Sequence, residues 1–440
     1  MFTLNGSELT HFLLAMACLL ATANFLGYVA ERLAIPRVIG EVAAGLVLGP
    51  TFLGSVFFDR FNWLFLGFSA EDKLFGLVCQ IGLMMLLFTS GLKFQTQFNN
   101  HDLKIVAAIV VGSTVLPFAI GWISTSVFPV TAYLGPANNL FAFKIVVAIS
   151  IAVTSIPVIS KIFHDLGIMH SRFAKLIVVI AGIHDVLLWA ALGIATSVAG
   201  QGGEATVGTI SQSLAVTAAF IVGFLLAATF LLKRTTSLKT NVLFRSSPLG
   251  FVLLILFGTV AAAGYLGVDT IFGALLAGIA VKWSLPQKLL QRIEHSVGHM
   301  SYSWFIPVYF ATVGLQLDLA HQFDVFFFVK YLAFATAAQA IIVYATSRMI
   351  RLDRLSSMNF ALAMNARGGP GIVLSTIAYS VGIVNQEFFA VLVMLSLATS
   401  WLAGSWLRFV LNKGWRLMPG DEYLSPERPN DYVADPTKSL

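Results

Sequence analysis

The stretch NARGGPGIVL, residues 365–374, interrupts a long apolar run in its middle. The residues of this interruption are Asn365, Arg367, Gly368, Gly369, Pro370 and Gly371. Glycine weakens a helix, and proline removes a backbone donor and clashes with the preceding turn, so the pattern predicts a broken helix. An arginine inside an apolar span is costly and rare, which favours a functional break over one that serves packing alone.

A second break is predicted in AISIAVTSIPVISK, residues 148–161. Pro157 lacks an N–H, and it disfavours the helical conformation of Ile156 before it. Thr154 and Ser155 place hydroxyl groups beside the carbonyls that the break frees. A simple proline kink remains the alternative interpretation of this stretch.

The composition predicts an all-α polytopic membrane protein. Of 440 residues, 58% are hydrophobic and 11% are charged, and the mean hydropathy is +0.84. Soluble domains carry about 25% charged residues. Apolar blocks of about 20 residues recur along the chain, and helices satisfy their own backbone groups in lipid. Because no Lys or Arg precedes Arg32, the first block is expected to be a retained helix and not a signal peptide.

The apolar blocks predict about 13 transmembrane helices. They lie near 9–29, 36–54, 74–92, 105–128, 139–160, 173–199, 209–232, 248–265, 270–284, 301–318, 323–347, 357–382 and 387–412. Each broken span is the second in a group of three, spans 4–6 and 11–13. Seven spans separate the groups, so the two groups have opposite topology. Paired broken helices in two inverted repeats indicate the midplane site of a secondary transporter.

The basic residues orient the chain in the membrane. On this span assignment, 22 of the 27 Lys and Arg residues lie on one side, which is therefore predicted to be cytoplasmic. The N-terminus is then outside and the C-terminus is cytoplasmic, and the expected location is the inner or plasma membrane of the cell. Residues 285–300 are predicted to be an interfacial amphipathic linker, and residues 413–440 a short disordered tail.

A lone carboxylate lies deep in the sixth predicted span, in AGIHDVLLW, residues 181–189. Asp185 is 13 residues beyond Arg172, about 20 Å along a helix, which puts it near the middle of the bilayer. Packing alone is a weak reason to keep a carboxylate there. Carbonyls and hydroxyls freed at the breaks are oxygen ligands suited to an alkali cation, so the pattern favours a cation or proton site.

Five blocks of the sequence resemble the cation:proton antiporter-2 family of Kef- and Nap-type monovalent cation/proton antiporters. They are ERLAIPRVIGEVAAGLVLGPTFLG (31–54), TSIPVISKIFHDLGI with AGIHDVLLW, VDTIFGALLAGIAV (268–281), FIPVYFATVGLQLDL (305–319) and NARGGPGIVLSTIAYSVGIV (365–384). The resemblance covers nearly all of residues 10–412. It implies a sodium/proton antiporter-like fold with two broken, crossing helices. It also implies a homodimer, with dimerisation helices about 9–92 and 209–318 and a mobile core about 105–199 and 323–412.

The resemblance implies exchange of Na⁺ or K⁺ for protons by elevator-type alternating access. Asp185 is expected to carry the cation and the proton in turn, with Thr154 and Ser155 nearby. Many electrogenic members have two acidic residues where this chain has His184–Asp185, and a Lys or Arg on the helix where this chain has Gln339 in ATAAQAIIVYATSRM (335–349). Joint replacement by His184 and Gln339 would turn a salt bridge into a neutral hydrogen-bonded pair.

His184 has two interpretations. It titrates near neutrality and senses pH or carries a second proton, or it stays neutral and bonds a backbone carbonyl or Gln339. In the second case one carboxylate exchanges one proton for one cation, and transport is electroneutral. Arg367 is expected to offset carbonyl ends at the second break or to pair with Asp185. Glu41 is placed near the cytoplasmic mouth or in helix packing.

Other functions stay open on the sequence alone. They are a Kef-like potassium efflux system, an organic-ion carrier on the same fold, and a membrane sensor or scaffold with a vestigial site. An enzyme is not expected, because no nucleophile–base or metal-ligand spacing occurs at membrane depth. Cys18 and Cys79 lie inside apolar blocks and indicate buried thiols. No cofactor, nucleic acid or metal beyond the transported ion is expected.

Overall fold

The computed structural model describes residues 5–421 apart from 34, 94–99, 128–129, 155, 170, most of 201–240, 267 and 269. Seventeen α-helices lie in this part of the chain. They are α1 (Gly6–Arg32), α2 (Arg37–Leu48), α3 (Phe58–Phe65), α4 (Glu71–Leu92), α5 (Asn100–Ser124), α6 (Leu140–Ala152), α7 (Ile156–Asp165), α8 (Arg172–Gly200), α9 (Val242–Ser246), α10 (Pro248–Tyr265), α11 (Thr270–Ser284), α12 (Gln287–Met300), α13 (Ile306–Leu315), α14 (Val325–Met349), α15 (Arg354–Ala363), α16 (Gly368–Ser380) and α17 (Gln386–Asn412).

The chain is a multi-pass membrane protein. Eight helices in the described ranges are long and apolar enough to cross a bilayer, and α6 and α11 are shorter apolar helices. Both predicted breaks divide a span into two helices, α6 with α7 and α15 with α16. Most of the predicted span 209–232 lies outside the described residues.

Polar side chains fix where several helices begin. Asn139 and Asn385 accept hydrogen bonds from the backbone amides of Ala142 (2.9 Å) and Phe388 (3.0 Å), at the start of α6 and α17. Asp353 does the same for the first turn of α15, accepting from Leu355 N at 3.1 Å. Short polar side chains at these positions satisfy amides that lack a partner within the helix.

The helices form two packed groups. The scaffold group consists of α1–α4 and α10–α13, and α1 with α2, α2 with α13, and α4 with α11 are its main pairs. Two of these pairs cross at glycines: a Cβ on Gly45 would lie 1.9 Å from the Ala311 carbonyl oxygen, and one on Gly91 2.3 Å from that of Leu275. Backbones can approach this closely only without side chains, as in other membrane helix crossings.

The crossing group consists of α5–α8 and α14–α17 and contains both broken helices. The loops that precede α6 and α17 are bonded to each other: Gly135 N donates to Ile383 O at 3.0 Å, and Ala137 N to Gly382 O at 2.9 Å. We call this pairing the loop clasp. It joins the two halves of the group at the end that the charge pattern predicts to be outside.

Two segments that were not predicted to span the membrane, 285–300 and the start of 413–440, are ordered against the rest of the protein. Residues 287–300 form the amphipathic helix α12, with Leu290, Ile293 and Val297 buried on one face, which confirms the predicted amphipathic character. The start of the predicted disordered tail differs from the expectation. Leu417 and Met418 are buried, because residues 413–421 fold back on the crossing group, where Asn359 Nδ2 donates to Leu417 O at 2.9 Å.

Candidate functional site

The first break lies between α6 and α7. Helix α6 ends at Ala152, Val153 is extended, and α7 begins at Ile156. Pro157 is therefore in the first turn of α7, and Ile156 is helical, contrary to the expectation that Pro157 pushes it out of the helix. The physical reason is that a proline in the first turn lacks only a donor that has no partner there anyway. Ser155 lies outside the described residues.

The second break, between α15 and α16, is in direct contact with the first. Gly368 has φ +41°, and a Cβ there would lie 2.2 Å from a methyl carbon of Val158 on α7. Its amide donates to Ser400 Oγ on α17 at 2.9 Å. Gly368 is thus required both for its left-handed backbone and for the close approach of the two broken helices. Gly369 is less confined, with Phe310 Cζ at 3.4 Å from the Cβ position.

A cluster of polar groups links the first break to the second. Thr154 Oγ1 donates to the Met364 carbonyl oxygen at 2.6 Å, and Gln339 Nε2 donates to the same oxygen at 2.9 Å. Gln339 Nε2 is also 3.4 Å from Thr154 Oγ1. All three residues are fully buried. The structure therefore brings Thr154 and Gln339 together, at a carbonyl that belongs to the second break.

Arg367 at the second break caps the helix end at the first. Its Nε donates to Ser150 O at 2.7 Å and its Nη2 to Ile151 O at 3.2 Å, both in the last turn of α6. Further bonds go to Ala335 O at 3.0 Å and to Asn365 Oδ1 at 3.0 Å. A guanidinium suits the negative end of a helix, where carbonyls lack partners. Arg367 therefore bonds to backbone carbonyls as expected, but these carbonyls belong to the first break and not to the second.

Asp185 lies on α8, which packs against α6 and α7. The residue is 2% exposed, and its Oδ1 has no hydrogen-bond partner in the described part of the chain. It forms no ion pair with Arg367 there. A buried carboxylate oxygen without a donor is destabilising unless a proton or a cation binds it. The arrangement around Asp185 therefore has the chemistry of a cation- or proton-binding site.

His184 faces α5, whereas Gln339 bonds to the second break at Met364. Its Nε2 is 2.8 Å from Ser113 Oγ on α5, and the Ser113 hydroxyl donates to Ile109 O. Because that hydroxyl proton is used, Ser113 accepts from an Nε2–H, and Nδ1 has no partner among the described residues. The unpartnered Nδ1 favours a neutral imidazole, because a protonated ring would leave a buried N–H without an acceptor. This geometry does not bring His184 to Gln339.

Glu41 lies on α2 in the scaffold group, away from the break cluster. Its Oε1 accepts from Arg37 Nε at 2.8 Å, and Arg37 Nη2 donates to Asn24 Oδ1 at 2.6 Å. Arg37 is also 3.8 Å from Glu31, which pairs with Lys161 of α7 at 3.3 Å. Glu41 thus belongs to a chain of ion pairs that runs from the scaffold group to the crossing group.

Sequence reasoning missed several hydroxyls of the site. Ser150 Oγ is 2.7 Å from Tyr331 OH, beside the carbonyl that Arg367 caps. Ser113 and Ser400 were missed as well. Single hydroxyl residues in apolar spans are common, and their partners lie on other helices, so no local pattern marks them.

Comparisons with known proteins agree on one family. Residues 17–413 match the sequence model of the sodium/hydrogen exchanger transmembrane family. The chain is 27% identical to K(+)/H(+) antiporter 1 of Saccharomyces cerevisiae over 94% of its own length and 48% of that protein. It is 23% identical to the Na(+)/H(+) antiporter NhaS4 of Synechocystis, covering 87% of the chain and 92% of that protein.

A solved structure has the same fold. The sodium proton antiporter MjNhaP1 from Methanocaldococcus jannaschii superposes with a TM-score of 0.60 at 16% identity, covering 92% of this chain and 98% of that one. This confirms the predicted all-α, antiporter-like fold. The chain spans about half the length of several curated relatives that it matches.

Proposed function

This chain belongs to the sodium/hydrogen exchanger family, and from that premise we propose that it exchanges Na⁺ or K⁺ for protons across a membrane as a secondary active transporter. Related proteins are named as Na⁺/H⁺ and K⁺/H⁺ antiporters. Family members of this kind are transporters and not enzymes. The observation that carries the proposal is the buried carboxylate of Asp185, whose Oδ1 has no donor among the described residues.

One carboxylate can couple the two fluxes. A proton and a monovalent cation both neutralise Asp185, and they cannot occupy it together. Each ion therefore displaces the other. A buried carboxylate that holds neither ion is unfavourable, so the closed site always contains one of them. His184 is held by Ser113 as a neutral imidazole, which supports an exchange of one proton for one cation.

The oxygens at the breaks favour an alkali cation over an organic ion. Carbonyl and hydroxyl groups at the breaks are hard ligands, and the described cluster around Met364 is filled by Thr154 and Gln339. Arg367 offsets the carbonyls of α6, so its charge is already compensated. Asp185 is left as the negative group for an incoming cation.

The two helix groups support alternating access by movement of one against the other. Both breaks, Asp185 and the loop clasp belong to the crossing group, and each break is completed by side chains from the other half. These bonds favour motion of the crossing group as one unit. The scaffold group, with its glycine crossings, is the part expected to stay fixed and to form a homodimer.

The test is cation-driven proton movement in sealed proteoliposomes with a trapped pH dye. Na⁺, K⁺ and Li⁺ are added in turn to wild type, to Asp185→Asn and to Glu71→Gln. We expect at least one cation to drive exchange in wild type and Asp185→Asn to be silent. Glu71 is the matched control, because it is a fully buried carboxylate of the scaffold group, and Glu71→Gln should retain exchange.

Two results would overturn the proposal. One is persistent exchange in Asp185→Asn, since an amide cannot carry the proton. The other is a wild type that is silent for all three cations from acidic to alkaline pH. If the silent wild type is folded and monodisperse, an organic-ion carrier or a sensor becomes the favoured function.

A further inference from the structure

A cavity of about 700 Å³ lies on the face that the charge pattern predicts to be cytoplasmic. It is formed by the first turns of α5 and α8, the end of α14, and residues 418–419 after α17. Lys104, Arg172 and Arg351 contribute positive charge. The rest of its wall is apolar, from Ile105, Met349, Ile350, Leu352, Met418 and Pro419. None of the described residues that line it is acidic.

Two of the three cations are available to a ligand. Lys104 and Arg351 are exposed and make no ion pair with any described residue. Arg172 is engaged, since its side chain donates to Asp102 Oδ1 at 3.0 Å and its amide to Asp421 Oδ1 at 2.7 Å. Asp102 and Asp421 are therefore directed at Arg172, and the charge that faces the cavity remains positive.

The flank beside the cavity is suited to acyl chains. Helices α5 and α14 pack against each other along their length. Large apolar side chains are exposed on this flank, including Val111 (59%), Val115 (56%) and Ile341 (67%). In a membrane these side chains contact lipid, and the same two helices reach the cationic cavity at the predicted headgroup depth.

We propose that this cavity binds the phosphate of an anionic phospholipid from the predicted cytoplasmic leaflet, with the acyl chains along α5 and α14. The mixed wall favours an amphiphile over a free phosphate ion, because two thirds of the lining residues are apolar and a hydrated ion gains nothing from them. The bound phosphate would bridge α5, α14 and the start of α8. It would join the crossing group at the end opposite the loop clasp.

The test is native mass spectrometry of the full chain, purified in a neutral detergent, titrated with phosphatidylglycerol or phosphatidylcholine of the same acyl chains. Wild type should retain phosphatidylglycerol in preference to phosphatidylcholine. Lys104→Gln/Arg351→Gln should weaken that binding about thirtyfold, because each cation near an anionic lipid contributes about fivefold. The readout does not depend on ion exchange.

Matched variants separate the site from general charge. Lys288→Gln/Arg292→Gln removes two exposed cations from α12 on the same predicted face and should leave lipid binding unchanged. Lys104→Arg/Arg351→Lys keeps both charges and should retain it. Equal losses in the two glutamine pairs, or none in either, would overturn the proposal.

A competition arm distinguishes the source of the phosphate. Inorganic phosphate and glycerol 3-phosphate at millimolar concentration should neither displace phosphatidylglycerol nor raise the melting temperature of the lipid-free protein. If either does so in wild type and not in Lys104→Gln/Arg351→Gln, the cavity is a site for a soluble phosphate, and the lipid proposal is wrong.

Discussion

Two buried carboxylates, Glu41 and Asp185, have opposite surroundings. Glu41 in the scaffold group is 4% exposed and accepts from Arg37 at 2.8 Å. Asp185 in the crossing group is 2% exposed, and its Oδ1 has no donor among the described residues. Both side chains are removed from water to a similar degree, so burial does not distinguish them. The difference is the presence of a fixed cation.

A fixed cation and an exchangeable one have different consequences. Arg37 holds Glu41 in place through a hydrogen bond and a fixed positive charge, which is the role of a structural pair. In the proposed cycle, Asp185 obtains neutrality from an ion or proton that comes and goes. An arginine does lie in the crossing group, but Arg367 is directed at the carbonyls of α6. A buried carboxylate with no cation of its own is open to an exchangeable ion, which is what the proposed cycle requires of Asp185.

The largest effect after loss of Asp185 itself is expected at Arg367. Arg367→Gln leaves the carbonyls of Ser150, Ile151 and Ala335 without their donor in a fully buried place, which costs about 3–5 kcal/mol. We expect little folded protein, as measured by size-exclusion chromatography and thermal unfolding. Arg367→Lys should recover part of the loss, because one ammonium can reach some of these oxygens.

A double variant tests whether Arg367 is instead the hidden partner of Asp185. If the two charges neutralise each other, Arg367→Gln/Asp185→Asn should restore folding. We expect no rescue, because the bonds lost are those to backbone carbonyls. A stable double variant would contradict the comparison between the two carboxylates.

A smaller effect is expected at Glu41. Glu41→Gln keeps an acceptor for Arg37, and Arg37 retains Asn24 and the nearby Glu31. The free energy of unfolding should fall by about 1 kcal/mol, and exchange in proteoliposomes should stay within about twofold of wild type. Abolished exchange with intact folding would make Glu41 a second carrier.

The smallest effect is expected at Ser113. Ser113→Ala removes the acceptor for His184 Nε2–H and should cost about 1 kcal/mol, while the pH dependence of exchange stays that of wild type. The measurement is the exchange rate from acidic to alkaline pH, with Ser113→Thr as the control that keeps the hydroxyl. A shifted pH profile in the alanine variant alone would show that His184 takes part in the proton cycle.

The sequence predicted the helices well because span length and hydropathy are local properties. The predicted bounds 248–265 and 270–284 are those of α10 and α11. Both breaks are present, since glycine and proline act on the backbone of their own residues. The first break is misplaced by a few residues relative to Pro157, because a proline can begin a helix as readily as it ends one.

The partners of the site residues could not be predicted in the same way. Arg367 bonds to Ser150, 217 positions away, and His184 to Ser113, 71 positions away. Such pairs depend on how whole helices pack, and helical periodicity gives only the face on which a residue lies. The expected pairing of His184 with Gln339 rested on the family pattern, and the two side chains have different partners.

The charge on Arg367 has an electrical consequence for the proposed cycle. In that cycle Arg367 would travel with the crossing group and stay positive whichever ion Asp185 holds. The moving unit then has the same net charge when it carries a sodium or potassium ion in one direction as when it carries a proton in the other. The work done against the membrane potential on one stroke is returned on the next. The proposed cycle therefore predicts that the direction of exchange is set by the two ion gradients alone.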